Sequence, residues 1–159
     1  MLILKAEMIT AINSYELNTR INDYPEGMLI EFSAHSYQWA SDFGVQRIFK
    51  NEKYYWTRET IFLGKECTEA MVAAVDGVIY KISFRFHDSE DKSCLEFREK
   101  VFNHLAGQMG TNFEVQEIDS IKLLIWSGDE GNVILELDGY DTDIILTSSI
   151  IRNMKRAKI

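Results

Sequence analysis

The chain has 159 residues, 46% of them hydrophobic and 26% charged, with three Trp, seven Tyr and nine Phe, which is the composition of an ordered globular protein and excludes a disordered one. Its formal net charge of −8 argues against general affinity for DNA or RNA, because that binding needs cations to displace counterions from phosphate. No charge-free apolar run approaches the roughly 20 residues that span a bilayer, and the opening Met1 to Leu4 is followed at once by Lys5 and Glu7, unlike a secretory signal.

A cytoplasmic protein with no membrane partner is therefore expected. Cys67 and Cys94 are expected to be reduced and structural, since two thiols in a chain this long make no disulfide framework. A lone proline, Pro25, and the lack of any repeat or Gly/Ser linker predict one domain over 1–159.

In chain order, Leu4, Met8, Ala11, Ile12 and Tyr15 have helical spacing and predict a short N-terminal helix within 1–20. Residues 28–87 are expected to be strands. Met28, Ile30, Phe32 and Ala34 alternate, and 45–49 and 54–62 suggest two more strands turning near Asn51, in a region rich in β-favouring aromatics. Asp76-Gly77 between the runs 68–75 and 78–87 predicts a tight hairpin. In the second of these runs Val78, Tyr80, Ile82, Phe84 and Phe86 alternate with Lys81, Ser83, Arg85 and His87, the mark of a half-buried strand.

The period then changes to 3.6 and predicts an amphipathic helix over 91–109, with Cys94, Leu95, Phe97, Val101, Phe102, Leu105 and Met109 on its apolar face. Asp88, Ser89 or Ser93 is placed to cap its start, Ser93 with Glu96 in a capping box, and Gly107 or Gly110 to stop it. Arg98 falls within the apolar face; its guanidinium must either reach water along its stem or meet a carboxylate from the sheet.

From 112 to 148, runs at 113–117, 121–126, 133–137 and 144–147 are separated by turn residues and predict an antiparallel meander. Leu123 to Trp126 is apolar on both faces, which suggests a central strand. A basic tail, 149–159, ends the chain. The fold expected is α+β: a single antiparallel sheet of about seven or eight strands, one main helix on one face, and the order hairpin, helix, meander in the second half.

Catalytic signatures are missing: there is no GxGxxG, P-loop, GxSxG or HExxH. His35, His87 and His104 have no adjacent partner of the kind a general base needs, and with Cys67 and Cys94 they lack the paired spacing of a zinc site. Asp138 to Asp143 holds three carboxylates in six residues without the pattern of an EF-hand loop. Gly107-Gln108-Met109-Gly110 has the bare GxxG of a KH loop but no flanking cations. No enzyme activity, metal or cofactor is expected.

Charge is unevenly placed. Residues 111–148 carry nine acids against the single base Lys122, while the first 110 hold sixteen acids and twelve bases and the tail holds Arg152, Lys155, Arg156 and Lys158. Glu114, Glu117, Asp129, Glu130, Glu136, Asp138, Asp141 and Asp143 are therefore the candidate contacts to a basic protein. The expected function is that of a non-catalytic binding protein, such as an immunity protein or antitoxin neutralising a nuclease toxin. The alternative is a small-molecule-binding module, or an enzyme without a familiar motif, with a pocket between helix and sheet, walled by aromatics of 32–62 such as Tyr37, Trp39, Tyr54 and Trp56.

Overall fold

In the computed structural model, which describes residues 7–32, 49 and 51–153, Asp76 and Gly77 both take positive φ, 51° and 77°. That is the backbone a two-residue hairpin needs to match the twist of its strands. They join β7 (Glu69–Val75) to β8 (Val78–His87). With β3 (Leu29–Phe32), β4 (Glu52–Thr57), β9 (Glu114–Ile118), β10 (Ile121–Gly128), β11 (Gly131–Asp138) and β12 (Asp141–Ser148) they form one eight-stranded antiparallel sheet in the order β3-β4-β7-β8-β12-β11-β10-β9. Three short turns connect β9 through β12, so the predicted meander is present, and the long crossover between β8 and β9 is the helix.

That helix, α1 (Asp91–Met109), buries Cys94, Phe97, Val101, Leu105 and Met109. These steps of three and four residues hold one stripe against the sheet. Phe97, Val101, Leu105 and Met109 share a core with Ile82, Phe84, Phe86, Leu124, Trp126, Val133, Leu135, Ile144 and Leu146, each fully buried aliphatic or aromatic side chain contributing about 1.5–3 kcal/mol. Leu95, expected on this stripe, is instead 64% exposed, because it lies one residue past the Cys94 position that meets the sheet. Gly110 ends the helix at φ 83°, its N–H donating to the Ala106 carbonyl, and its own carbonyl accepts from Trp126 Nε1 at 3.0 Å. Glu90 occupies the N-cap without a side-chain bond; Asp88 serves instead, its Oδ1 accepting from the Glu90 N–H and from the Ser93 hydroxyl. The Ser93 to Glu96 capping box is therefore not formed.

Where a helix is expected near the N-terminus, residues 7–20 make the pair β1 (Ala11–Ile12) and β2 (Tyr15–Glu16). Asn13 turns the chain at φ 53°, donating from Nδ2 to the Ile61 carbonyl, while the Ser14 N–H and hydroxyl both donate to Glu59. Tyr15 is fully buried, with its hydroxyl donating to the Met28 carbonyl and accepting from the Arg58 and Glu59 amides. Burial raises its phenol above the ordinary value. These long-range bonds outweigh the weak helical spacing.

The other face of the sheet is also covered. Phe49, Tyr54, Met71, Ala73, Val75 and Tyr80 form a second buried cluster joined by Phe32, Trp56, Ile150 and Ile151. A register shift between Ala73 and Ala74 interrupts the β7–β8 ladder, so Tyr80 belongs to this second cluster and Ile79 to the helix-side core. The simple alternation expected along 78–87 is broken there. The strand containing Leu123 to Trp126 is second from the edge, not central: Leu124 and Trp126 are buried under α1 whereas Leu123 and Ile125 are half-buried. The central pair is β8 with β12. The predicted strand 54–62 breaks after Thr57, and Ile61–Phe62 (β5) pairs with Lys65–Glu66 (β6). The expected strand 45–49, save Phe49, and the basic tail beyond residue 153 lie outside the described residues.

Candidate functional site

Three connections meet at one end of the sheet: the β9–β10 turn at Asp119 and Ser120, the β11–β12 turn at Gly139 and Tyr140, and the passage from His87 to Asp91 that leads from β8 into α1. The first two lie two strand spacings apart, about 10 Å. Asp88, Glu90, Asp91, Asp119, Asp138 and Asp141 are concentrated here.

The β11–β12 turn is held from below. Its Gly139 and Asp141 carbonyls accept from Arg98 Nη2 at 2.6 and 2.8 Å, and Arg98 Nε donates to Thr142 Oγ1 at 3.0 Å. The Tyr140 carbonyl between them accepts from the Asp88 N–H at 3.1 Å and lies 3.9 Å from Cys94 Sγ. Three consecutive carbonyls are thus tied to α1 and its approach. Arg98, which is half-buried, accordingly meets no sheet carboxylate; its planar fork instead satisfies the Gly139 and Asp141 carbonyls and the Thr142 hydroxyl. Fixing the backbone leaves the side chains as the outer surface: Asp138 is exposed and Tyr140 is 45% exposed. A hydrogen bond to Asp91 and the charge of that carboxylate raise the Tyr140 phenol. His87 Nδ1 lies 2.7 Å from Asp141 Oδ1, and the His87 and Tyr140 rings meet edge to face at 6.5 Å. His87 and Asp141 are both about half exposed, and no described nucleophile hydrogen-bonds the second ring nitrogen.

The eight acids read from the sequence do not form one face. Asp138 and Asp141 close the turn just described. Asp143 is only 3% exposed and is held by Arg85, whose Nε lies 2.9 and 3.2 Å from its oxygens and whose Nη2 donates at 3.0 Å; Glu69 lies 3.8 Å from the same guanidinium. As a surface contact Asp143 is therefore excluded by its burial. Glu136 sits directly opposite Asp143 in the ladder, and burial, aided by the hydrogen bond and charge of Asp143, pushes its carboxyl up to about 7. Asp129 and Glu130 occupy the β10–β11 turn at the opposite end of the strands, about 23 Å from Asp138 along β11. Glu114 and Glu117 are exposed on the edge strand β9 and, an odd number of residues apart, point to opposite faces of the sheet.

Of the aromatics considered as a pocket, Tyr37 and Trp39 lie outside the described residues. Tyr54 and Trp56 are on the side of the sheet away from α1, and so are not walls of a pocket between helix and sheet. Trp56 stacks on Phe32 at 4.3 Å, and the Tyr54 hydroxyl donates to Glu52 Oε1 at 2.7 Å. The Tyr80 hydroxyl donates to the same carboxylate oxygen, and burial raises both phenols. Lys81, beside them, is pushed down to about 8 by burial, against the opposing charges of Glu52 and Glu136. A cleft of about 530 Å³ lies elsewhere, lined by Asn13, Ser14, Arg58, Glu59, Thr60 and Ile61.

Among the described residues no cluster of His, Cys, Asp and Glu is arranged to hold a metal ion, and no helix is long and apolar enough to cross a membrane. The sequence assigns no site role to Tyr140 or Asp91, places Asp88 only as a helix cap and sets His87 on the polar side of its strand without a local partner; the one signal available was Arg98 on an apolar stripe, which marks a nearby acceptor. No protein-family model matches the chain, and neither a curated protein nor a solved structure matches it.

Proposed function

We propose that this protein is a non-catalytic binding protein that neutralises a basic protein, as an immunity protein or antitoxin does a nuclease toxin, and that the contact is the acidic end of the sheet. The observation that carries this reading is Tyr140: a large, 45% exposed ring on a turn whose three carbonyls are already tied down, beside Asp91, Asp138 and Asp141. Tyrosine supplies much contact area at little entropic cost, and a turn ordered before binding loses little more on binding. The surrounding carboxylates would speed encounter with a cationic surface.

Of the eight acids expected to contact the partner, this narrows the central set to Asp138 and Asp141 and adds Tyr140 and Asp91. The test is co-purification with the proteins encoded beside it, followed by association kinetics against the captured partner. Asp138→Lys with Asp141→Lys should slow association about tenfold or more at low salt, and less at high salt. An equal rate at low salt refutes the assignment. A small-molecule module remains the second reading, served by the open cleft between Asn13 and Arg58; thermal stabilisation by a small polar ligand, lost in Arg58→Ala, would favour it.

A further inference from the structure

Among the described residues the sheet is open along β9. This strand ends the order of eight, pairs among the described residues only with β10, and keeps an unbroken register from Glu114 opposite Ile125 to Ile118 opposite Ile121. Its outer backbone groups are therefore available to another strand. Proteins blunt such an edge with charged side chains, proline or a bulge; Glu114-Val115-Gln116-Glu117-Ile118 has no proline or bulge, and its charges, Glu114 and Glu117, are both negative, so they repel an acidic strand and attract a basic one. Val115 and Ile118 are 49% and 55% exposed, and Glu114 and Glu117 are exposed as well. The opposite edge differs: on β3, Glu31 is paired with Lys53 at 3.5 Å.

We propose that β9 is a docking edge, to which an extended basic segment of the partner adds antiparallel as a ninth strand. The proposal rests on the basic-partner reading above and specifies how such a partner is held. Backbone hydrogen bonds would supply affinity, and alternate side chains the selectivity. The occupant is set by charge: β9 and the turn after it carry Glu114, Glu117 and Asp119 with no base, so the incoming strand needs cations beside the glutamates and apolar groups beside Val115 and Ile118. A second copy of the chain, paired antiparallel about Gln116, would set Glu114 against Ile118 and Val115 against Glu117, giving neither carboxylate a counter-charge, whereas a basic segment gives both glutamates one. At its C-terminal end β9 runs into the Asp119–Ser120 turn, on the same end of the sheet as Tyr140, so one bound segment can pass from the edge onto the acidic end.

The experiment uses the full chain and three probes at low salt: a short fluorescent lysine–valine peptide, Val-Lys-Thr-Val-Lys, which in antiparallel register sets its valines opposite Ile118 and Val115 and its lysines opposite Glu117 and Glu114; the same peptide with its second valine replaced by proline; and poly-L-lysine. Anisotropy measures affinity, and amide exchange reports on β9. The lysine–valine peptide should bind and slow exchange in 114–118, while the proline peptide of equal charge should bind about tenfold more weakly or worse, since it cannot complete a ladder. Glu114→Lys with Glu117→Lys, both at exposed sites, should melt as the wild type does and lose the lysine–valine peptide. Equal binding of the two peptides without protection of β9 overturns strand addition and leaves the basic-partner reading standing. Binding of poly-L-lysine without the lysine–valine peptide does the same. Failure of every probe overturns both. A dimer in sedimentation that the double variant dissociates assigns the edge to a second copy and overturns the proposal.

Discussion

Replacing Arg98 with Met removes a guanidinium that holds three acceptors at 2.6, 2.8 and 3.0 Å. The acceptors differ in what they can do afterwards. Gly139 is exposed and Asp141 half-buried, so their carbonyls can turn to water; Thr142 is 1% exposed, and its hydroxyl would be left dry. An unsatisfied buried hydroxyl costs about 1–3 kcal/mol, and a hydrogen bond from a charged donor contributes about 1.5–3 kcal/mol net of the water it displaces, toward the lower end for the two accessible carbonyls. The apolar methionine recovers about 1 kcal/mol by packing against α1's stripe. The net expectation is a loss of about 2–3 kcal/mol, or a melting temperature lower by about 4–12 °C for a domain of this size. Urea unfolding at neutral pH measures it. Arg98→Lys should recover only part, because a point charge cannot span three acceptors set in a fork. The reasoning fails if Arg98→Met unfolds within about 0.5 kcal/mol of wild type, the range of ordinary surface substitutions, or if lysine restores stability fully. The same change should weaken partner binding without touching the partner, through a turn that must now be ordered on contact.

Glu136 carries a pH dependence. Its folded pKa of about 7 exceeds the ordinary 4.5, so the folded protein keeps a proton that the unfolded chain has released; stability should fall by about 1–2 kcal/mol, allowing for partial exposure, as pH rises between those values. Glu136→Gln should remove that fall, and a wild-type urea profile that is flat over the interval would contradict it. Asp143→Ala leaves the half-buried Arg85 with the more distant Glu69 as its nearest carboxylate, and should cost about 2–4 kcal/mol in urea unfolding, less than for a fully buried pair because the guanidinium can reach water; a loss below about 1 kcal/mol would show that the pair is a surface pair in solution. Gly131 has φ 151°, and an added Cβ would overlap the Thr147 carbonyl oxygen of the neighbouring strand, so Gly131→Ala should cost about 3 kcal/mol or more in thermal unfolding. A melting point within about 2 °C of wild type would refute that close approach.

The hairpin at Asp76-Gly77, α1 and the meander were legible because each depends on local chemistry: a dipeptide that accepts positive φ, a period of 3.6 and a period of 2. The features that were not legible depend on partners far along the chain. Tyr15 has the spacing of a helical residue, but its hydroxyl is bonded to groups at 28, 58 and 59. The register shift beside Tyr80 requires knowing which residue of β7 it faces. Leu123 to Trp126 suggested a central strand, yet an apolar run also suits a penultimate strand whose outer face is half-buried.

The carboxylates show the same limit more sharply. Asp141 and Asp143 are two residues apart on one strand and share a face, and in the sequence they are interchangeable. Across the β8–β12 ladder Asp141 faces His87 and Asp143 faces Arg85. The first pair sits at the end of the sheet, half exposed; the second lies one pleat further in, where a guanidinium is needed to make burial of a carboxylate tolerable. A count of acids along 111–148 therefore measures how much negative charge the segment carries, and the cross-strand neighbour decides which of it a partner can reach. Arg98 was the exception, a charge whose oddity was visible in one dimension. Its position on an apolar stripe required acceptors, and they proved to be the backbone of the turn that presents Tyr140.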